Sequence, residues 1–353
     1  MIAGDIIDNV VVGAGVIGMM IARELAERQS TALVLDRTLV GCGASRFSAG
    51  LHIPVGRNPR LRDMAATSET AYRALTDADG TFPTEEIDLV WVSSEANFKK
   101  DLATFTEDAS PTTSSRSAGA TIGPLATRPD SRLIEAKGAR FTDVGCLVER
   151  LSASLRRSSF VEVWEGTQLT AFEPHEKLVA LHLADGRTIS TRRLFLAPGP
   201  WALESPYAAQ SRRWGIRIKK IVCMHIDVVP NEKDCVWYFS EDDAFMLPVK
   251  HRNHWLLCFT VDVWNVEPII GSFSITEAER AQANAILAKF FPHLLPHCNS
   301  GRVFCDAYST EREPMIKALD DAPNIIFAGA ANGSGYRFAP AIACQAVCLA
   351  NEI

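Results

Sequence analysis

Two glycine-rich turns, one near each end of the chain, carry the residues best suited to chemistry. The first, GAGVIG, places Gly13, Gly15 and Gly18 in the spacing GxGxxG directly after a β-branched run. The second, GAANGSGYRFAP, spans residues 329–340 and has Arg337 in its middle. A charged group between an apolar strand and an apolar helix needs a partner. The position of Arg337 therefore favours binding of an acidic ligand over exposure at the protein surface.

The first turn has the elements of a dinucleotide-binding site in the required order. Gly13 permits a tight turn, Gly15 lets the backbone approach a pyrophosphate, and Gly18 lets the helix pack on the strand. That helix offers unpaired N–H groups and its positive dipole end to phosphates. Asp36 ends the second strand, 18 residues after Gly18, where it can accept hydrogen bonds from ribose hydroxyls. The pattern predicts either FAD or NAD.

The segment after Asp36 decides between these cofactors through a resemblance. A Gly/Ser/Ala-rich loop, GASRFSAG, spans residues 43–50 where an NAD-binding domain proceeds to its next strand and helix. Here the sequence resembles the flavoenzyme group of glycine oxidase, sarcosine oxidase and the D-amino-acid oxidases and dehydrogenases. The resemblance implies that Ser45 and Arg46 lie near the FAD phosphates or ribityl chain, and that His52 lies near the isoalloxazine ring.

Three later stretches resemble the same group, in the same order. They span residues 141–172, 178–202 and 324–340, and the last is the closing flavin motif. The helix that starts within it would aim its N–H groups at the flavin O2. The predicted FAD-binding residues are Gly13, Gly15, Val16, Ile17, Gly18, Asp36, Arg37, Ser45, Arg46, Gly199, Gly333, Ser334, Gly335 and Tyr336.

The predicted fold class is α/β: a Rossmann-like FAD-binding domain with an inserted α+β substrate domain built on an antiparallel sheet. We assign residues 1–80, 141–210 and 301–353 to the FAD domain, and residues 81–140 and 211–300 to the substrate domain. Residues 86–94 read as a strand, and residues 95–108 as a helix. Alternating runs between residues 215 and 264 predict antiparallel strands. A capped amphipathic helix is predicted over residues 274–292.

The resemblance implies oxidation of a C–N bond in an amino acid or N-alkyl amino acid. Hydride transfer to flavin N5 would leave an imine that hydrolyses. Arg337 would grip the substrate carboxylate, and the alternatives are an exposed arginine or one that contacts only flavin. Tyr308 would line the substrate pocket, or simply pack. His52 is the third catalytic candidate, against a structural role.

Two features of the resemblance leave alternatives open. Related enzymes attach the flavin to a cysteine in the strand of Cys305, but Cys305 lies one residue out of register, so it is either that attachment site or an ordinary buried cysteine. The electron acceptor is O2 or a quinone. One rival is a flavin-dependent dehydrogenase or monooxygenase that acts on another small substrate, although a monooxygenase or halogenase requires an Asp in the closing motif that this chain lacks. A non-catalytic FAD-binding scaffold is another.

Composition excludes several other classes. The 353 residues carry a formal net charge of −6, which disfavours nucleic-acid binding. No apolar run is long enough for a membrane span, and the N-terminus does not read as a signal peptide, so we expect a cytoplasmic protein. The nine cysteines form no CxxC pair or zinc-like spacing, so no metal site is expected.

Overall fold

Two eight-stranded sheets form the framework of the protein in the computed structural model, which describes residues 6–126 and 130–352. Residues 1–5, 127–129 and 353, which the predicted domains include, lie outside the described residues. The α-helices are α1 Val16–Glu27, α2 Ala44–Phe47, α3 Pro59–Ala78, α4 Phe98–Leu102, α5 Val144–Leu155, α6 Ala208–Arg213, α7 Glu277–Phe290 and α8 Gly335–Asn351. Short 3-10 helices span Glu107–Ala109, Gly199–Leu203, Ser240–Asp242, Lys250–Arg252 and Pro292–His297.

The strands supply both large sheets and two small ones. They are β1 Ile6–Val12, β2 Ala32–Leu35, β3 Leu51–His52, β4 Thr84–Glu86, β5 Leu89–Ser94, β6 Thr112–Thr113, β7 Ala118–Gly119, β8 Gly123–Pro124, β9 Ser131–Ala136, β10 Arg140–Thr142, β11 Val161–Trp164, β12 Leu169–Pro174, β13 Val179–Leu183, β14 Thr188–Leu196, β15 Arg217–Ile226, β16 Val236–Phe239, β17 Ala244–Val249, β18 His254–Phe259, β19 Ser300–Tyr308, β20 Met315–Leu319 and β21 Ala322–Gly329.

The first large sheet has a parallel centre. Its order is β11-β2-β1-β14-β13-β12, with β21 also on β14 and β20 on β21. The pairs β11–β2, β2–β1, β1–β14 and β14–β21 are parallel. Helices α1, α3, α5 and α8 share one apolar core with this sheet. Parallel strands are covered by helices in this way, and β2 is accordingly a continuous, fully buried apolar run.

The second large sheet has the order β19-β15-β18-β17-β16-β5-β9-β6. Its pairs are antiparallel except β5–β16, which is parallel. The prediction of an antiparallel sheet therefore holds with one exception, which alternation within single strands could not reveal. Helix α7 packs on the face of the sheet that carries Val222, Met224 and Trp255.

A buried ion pair fixes α7 to this sheet. Lys220 Nζ lies 2.7 Å from Glu279 Oε1 and also donates to the carbonyl oxygen of Ser274. Glu279 closes a capping box with Thr276 at the start of α7, and the helix lies within the predicted span of residues 274–292. The two charges satisfy each other where neither could be buried alone.

Two sequence expectations differ from the structure. The helix predicted over residues 95–108 shrinks to α4, and its Asp101 side chain accepts a hydrogen bond from Trp91 Nε1 instead of facing water. The chain then leaves the helix so that Phe105 can bridge to Val55. Strand β19, which the predicted boundary at residue 301 gives to the FAD domain, pairs with β15 in the second sheet. The division into two domains stays a proposal.

Candidate active site

A cavity of about 810 Å³ lies where the two large sheets approach each other. That volume is in the upper part of the range of small-molecule sites, about 300–1,000 Å³. Its floor is the carboxyl ends of β1 and β2 with the start of α1, and its roof is the second sheet. Of the 18 predicted site residues, all except Arg46 and His52 line this one cavity. The roles assigned to these residues remain predictions.

The first glycine-rich turn is too tight for any side chain. Gly13 has φ +101°, and its N–H donates to the carbonyl oxygen of Leu35 at 2.8 Å. A Cβ on Gly13 would stand 2.2 Å from the carbonyl oxygen of Ala197, and one on Gly18 would stand 1.8 Å from that of Gly13. Glycine is required at both positions because each meets backbone that has no room to move.

The start of α1 presents an anion-binding surface to the cavity. Gly15, Val16 and Ile17 border it, and the first N–H groups of a helix have no partner within the helix. The buried Ser45, on α2, accepts the Val16 N–H through Oγ at 2.9 Å and closes one side of this surface. Gly199, which begins the 3-10 helix after β14, also borders the cavity. The helix dipole adds positive potential where phosphates would lie.

Asp36 and Arg37 form the rim next to this surface. Asp36 accepts hydrogen bonds from the N–H groups of Ala14 and Thr38, both at 2.8 Å. The Thr38 hydroxyl also donates to Asp36, at 3.0 Å. A carboxylate offers about four acceptor positions, so one position remains for a further hydroxyl. Arg37 bonds Glu204 at 2.7 Å and lies 4.5 Å above the ring of Trp201.

The closing turn, between β21 and α8, forms the opposite end of the cavity. Asn332 and Gly333 have φ +57° and +75°, and the Asn332 amide holds the turn by donating to the Glu313 and Ala330 carbonyl oxygens. Ser334 and Gly335 then begin α8 facing the cavity.

Tyr336 anchors the first turn of α8. Its buried hydroxyl lies 2.6 Å from Thr142 Oγ1, and its ring stacks on Tyr72 with centroids 4.8 Å apart. The hydroxyl of Tyr72 in turn donates to the Tyr336 carbonyl oxygen. These contacts fix the backbone of the next residue, Arg337.

Arg337 enters the cavity as a poorly satisfied cation. Its Nε donates to the carbonyl oxygen of Ile53 at 3.1 Å, while Nη2 is buried without a hydrogen-bond partner among the described residues. The guanidinium carbon lies 4.5 Å over the ring of Phe338. Burial lowers the pKa of Arg337 to about 10, so the group remains charged at neutral pH. Such a group needs an anion that the described chain does not supply.

Tyr308 and Asp306 border the cavity on β19. Burial raises the pKa of Tyr308, whose ring meets the edge of Trp264 at 5.2 Å. Asp306 accepts the N–H groups of Ala307 at 2.8 Å and Gly333 at 3.1 Å. Burial raises the pKa of Asp306 to about 6, so this carboxyl titrates near neutrality.

Cys305 also lies on β19, between Phe304 and Asp306 in the sequence. It borders the cavity but is only 2% exposed, and burial raises the pKa of its thiol to about 12. Its directly opposed neighbour is Lys220, whose ammonium points to α7. Flavin attachment at Cys305 stays a prediction.

His52 and Arg46 lie outside the cavity lining. His52 is fully buried, and burial together with the charge of Arg337 lowers its pKa to about 3. The ring is therefore neutral, and Nδ1–H donates to the Arg337 carbonyl oxygen at 3.3 Å. His52 thus holds the backbone of Arg337 from the side that faces away from the cavity. Arg46 is exposed on α2.

Sequence reasoning missed several cavity residues. Arg302, Phe304 and Asp306 precede Tyr308 at steps of two along β19 and border the same cavity. Side chains alternate along a strand, so counting back from Tyr308 would have found them. Cys223 and Cys258 carried no such signal, because they lie on different strands.

Comparison with known proteins identifies the family. The family described as FAD dependent oxidoreductase matches residues 8–347. The chain belongs to this family. No curated protein sequence matches the chain significantly.

Solved structures share the fold of this FAD-dependent oxidoreductase at low sequence identity. L-proline dehydrogenase from P. horikoshii has a TM-score of 0.85 and 14% identity, covering 99% of this chain and 94% of its own. Glycine oxidase from Geobacillus kaustophilus has a TM-score of 0.76 and 17% identity, covering 98% and 94%. L-alpha-glycerophosphate oxidase from Mycoplasma pneumoniae, with FAD bound, has a TM-score of 0.77 and 15% identity, covering 98% and 95%.

The geometry of the cavity fits the FAD of this family. Gly13 and Gly18 lie too close to neighbouring backbone to carry a Cβ, and the helix start beside them is suited to a pyrophosphate. Asp36 stands on the rim next to this helix start, and the closing turn borders the far end of the same space. Within the described residues, no helix has the length and apolar character to cross a membrane.

Proposed function

We propose that this FAD-dependent oxidoreductase oxidises the C–N bond of an amino acid or N-alkyl amino acid. The observation that carries the proposal is Arg337, a cation in the cavity wall whose Nη2 is buried and unpaired within the described chain. The guanidinium is a fixed fork of donors that matches a carboxylate in two parallel hydrogen bonds. Arg337 would bind the substrate carboxylate and thereby fix the neighbouring carbon.

The surroundings of Arg337 support this placement. His52 donates to the carbonyl oxygen of Arg337, and Tyr72 donates to that of the preceding residue. The Nε of Arg337 donates to the carbonyl oxygen of Ile53. The guanidinium therefore has little conformational freedom left to lose when a ligand binds. When bound, FAD supplies the acceptor of two electrons. The aromatic side chains of Tyr238 and Phe245 border the same cavity and would exclude water from the amine-bearing carbon.

The similar structures support an amino-acid substrate without selecting one. Glycine oxidase and L-proline dehydrogenase are named for amino acids, whereas glycerophosphate oxidase of the same fold is named for a phosphate ester. All three compounds carry an anionic group, which is a carboxylate in the amino acids and a phosphate in glycerophosphate. A carboxylate site therefore has to be distinguished from a phosphate site by experiment.

An anaerobic absorbance titration tests the proposal. The flavin-loaded protein is mixed with D- and L-amino acids, proline and N-methyl amino acids, with the decarboxylated amine of each, and with glycerol 3-phosphate and 2-hydroxy acids. We expect an amino acid to bleach the flavin absorbance and its decarboxylated amine not to. The product should be an oxo acid with ammonia or an alkylamine or, for proline, a cyclic imine that opens to an amino oxo acid. Bleaching only by glycerol 3-phosphate or a hydroxy acid would contradict the proposal. Readmitting O2 or a soluble quinone then identifies the acceptor.

A further inference from the structure

The roof of the cavity contains one row of directly opposed residues that crosses five strands. Arg302 on β19 opposes Cys223 on β15, which opposes Cys258 on β18. Cys258 opposes Phe245 on β17, which opposes Tyr238 on β16. All five residues border the cavity, so the row forms one continuous surface above the ligand space.

Two thiols meet in the middle of this row. The Sγ atoms of Cys223 and Cys258 are 2.6 Å apart. Directly opposed residues of antiparallel strands have Cα atoms about 4.5–5.5 Å apart, which lies within the range of about 4.4–6.8 Å found for disulfides. A bond between the two sulfurs therefore requires no movement of the strands.

The surroundings give the two thiols different chemistry. The Cys258 thiol donates to Cys223 Sγ, and with the nearby Arg302 guanidinium this lowers the pKa of Cys223 despite its burial. Burial raises the pKa of Cys258 well above its usual value. Arg302 itself has a buried Nε without a hydrogen-bond partner among the described residues. Cys223 is thus the nucleophile of the pair, and Cys258 the thiol that attacks second.

We propose that Cys223 and Cys258 form a reversible redox site that a peroxide oxidises to a cross-strand disulfide in the cavity roof. The Cys223 thiolate attacks one peroxide oxygen and breaks the O–O bond, which gives a sulfenic acid and, with one proton, water when the oxidant is hydrogen peroxide. The Cys258 thiol then attacks the Cys223 sulfur and displaces the sulfenic hydroxyl, which takes up the thiol proton and leaves as water. In sum, two thiols and one hydrogen peroxide give one disulfide and two water molecules. An external dithiol reverses the change by exchange.

The sequence provides a direct test by peptide mapping. Trypsin releases Cys223 in the peptide 221–233 and Cys258 in the peptide 253–280, each as its single cysteine. The flavin-loaded protein is reduced with dithiothreitol, freed of it, exposed to hydrogen peroxide, then quenched with N-ethylmaleimide in denaturant and digested. We expect the two peptides joined, lighter by two hydrogens than their sum, and separated again after dithiothreitol.

Variants divide the roles within the pair. Cys258→Ser should abolish the joined peptide and leave Cys223 as a sulfenic acid that dimedone traps. Arg302→Gln should slow joining by about threefold to tenfold, because less thiolate is present. Cys298→Ser, which removes a buried cysteine outside the cavity lining, should leave joining unchanged.

Two results would overturn the proposal. The first is that peptides 221–233 and 253–280 are recovered separately, each alkylated at its cysteine, although peroxide has oxidised the partly exposed cysteines of the same sample. The other is Cys223 joined mainly to a peptide other than 253–280. Both are read from the wild-type chain, so the outcome does not depend on the folding of any variant or on the substrate of the enzyme.

Discussion

Replacement of Arg337 by methionine distinguishes a ligand-binding arginine from a structural one. Arg337→Met loses the hydrogen bond from Nε to the Ile53 carbonyl oxygen, which as a charged bond contributes about 1.5–3 kcal/mol. It also removes a buried charged group with an unpaired Nη2, whose desolvation costs about 1–3 kcal/mol or more. The two effects have opposite signs and similar size. We therefore expect little change in the free energy of unfolding without a carboxylate ligand.

A bound carboxylate should reveal the difference. A ligand at a hundred times its Kd stabilises the wild-type protein by about 2.7 kcal/mol. Removal of one partner of a buried, hydrogen-bonded charge pair costs about 2–5 kcal/mol, which raises Kd by about 30-fold to several thousand-fold. At the same ligand concentration, Arg337→Met should gain at most about 0.9 kcal/mol.

Chemical unfolding followed by circular dichroism measures both quantities. Each flavin-loaded protein is unfolded with and without a non-reactive carboxylate that protects the wild type, and with the corresponding amide. The exposed Arg213 on α6 provides the matched control, since Arg213→Met should keep the full gain from the carboxylate. If Arg337→Met is strongly destabilised without ligand and still gains the wild-type increment, the arginine is structural and the reasoning fails.

Three further variants test the framework of the site. Lys220→Met should lower the free energy of unfolding, measured in urea, by about 3–5 kcal/mol, because Glu279 stays buried without its partner. Adding Glu279→Leu should restore part of the lost stability. An equal loss in the single and the double variant would contradict this. The pKa of Asp306 rises on folding from 3.8 to about 6, so its stabilising contribution is present at low pH and lost as pH rises through 6. In flavin-free protein, Asp306→Asn should match the wild type near pH 4 and exceed it at pH 8 by up to about 3 kcal/mol, and a difference independent of pH would refute this. Gly13→Ala, with its Cβ 2.2 Å from a backbone oxygen, should lose FAD and about 2–5 kcal/mol of stability, whereas Gly199→Ala, at φ +57° with open space around it, should lose only about 1 kcal/mol. Comparable losses in the two glycine variants would show that backbone crowding is not the cause.

The ends of the cofactor site could be predicted because short-range constraints determine them. Gly13 and Gly18 meet backbone atoms that any Cβ would strike, so their spacing is visible in the sequence. Asp36 follows from the length of one helix and one strand. The closing turn at Gly333 and Arg337 likewise lies within one contiguous segment.

The roof of the cavity could not be predicted, because it depends on the register between strands. Cys223 and Cys258 are 35 residues apart and meet only because β15 and β18 pair with that register. For His52 the sequence left both a catalytic and a structural role open. Its pairing with Arg140 in the small sheet buries it behind Arg337, a placement that depends on the register between strands.

Anaerobic flavin reduction in three proteins tests the central claim most directly. Wild type, Arg337→Lys and Arg337→Met are titrated with the amino acid that bleaches the wild-type flavin. We predict that FAD remains bound in all three, and that the half-saturating substrate concentration rises by about 30-fold or more in Arg337→Met and by less in Arg337→Lys, which keeps the charge but not the fork. One shared half-saturating concentration would mean that Arg337 does not bind the substrate carboxylate.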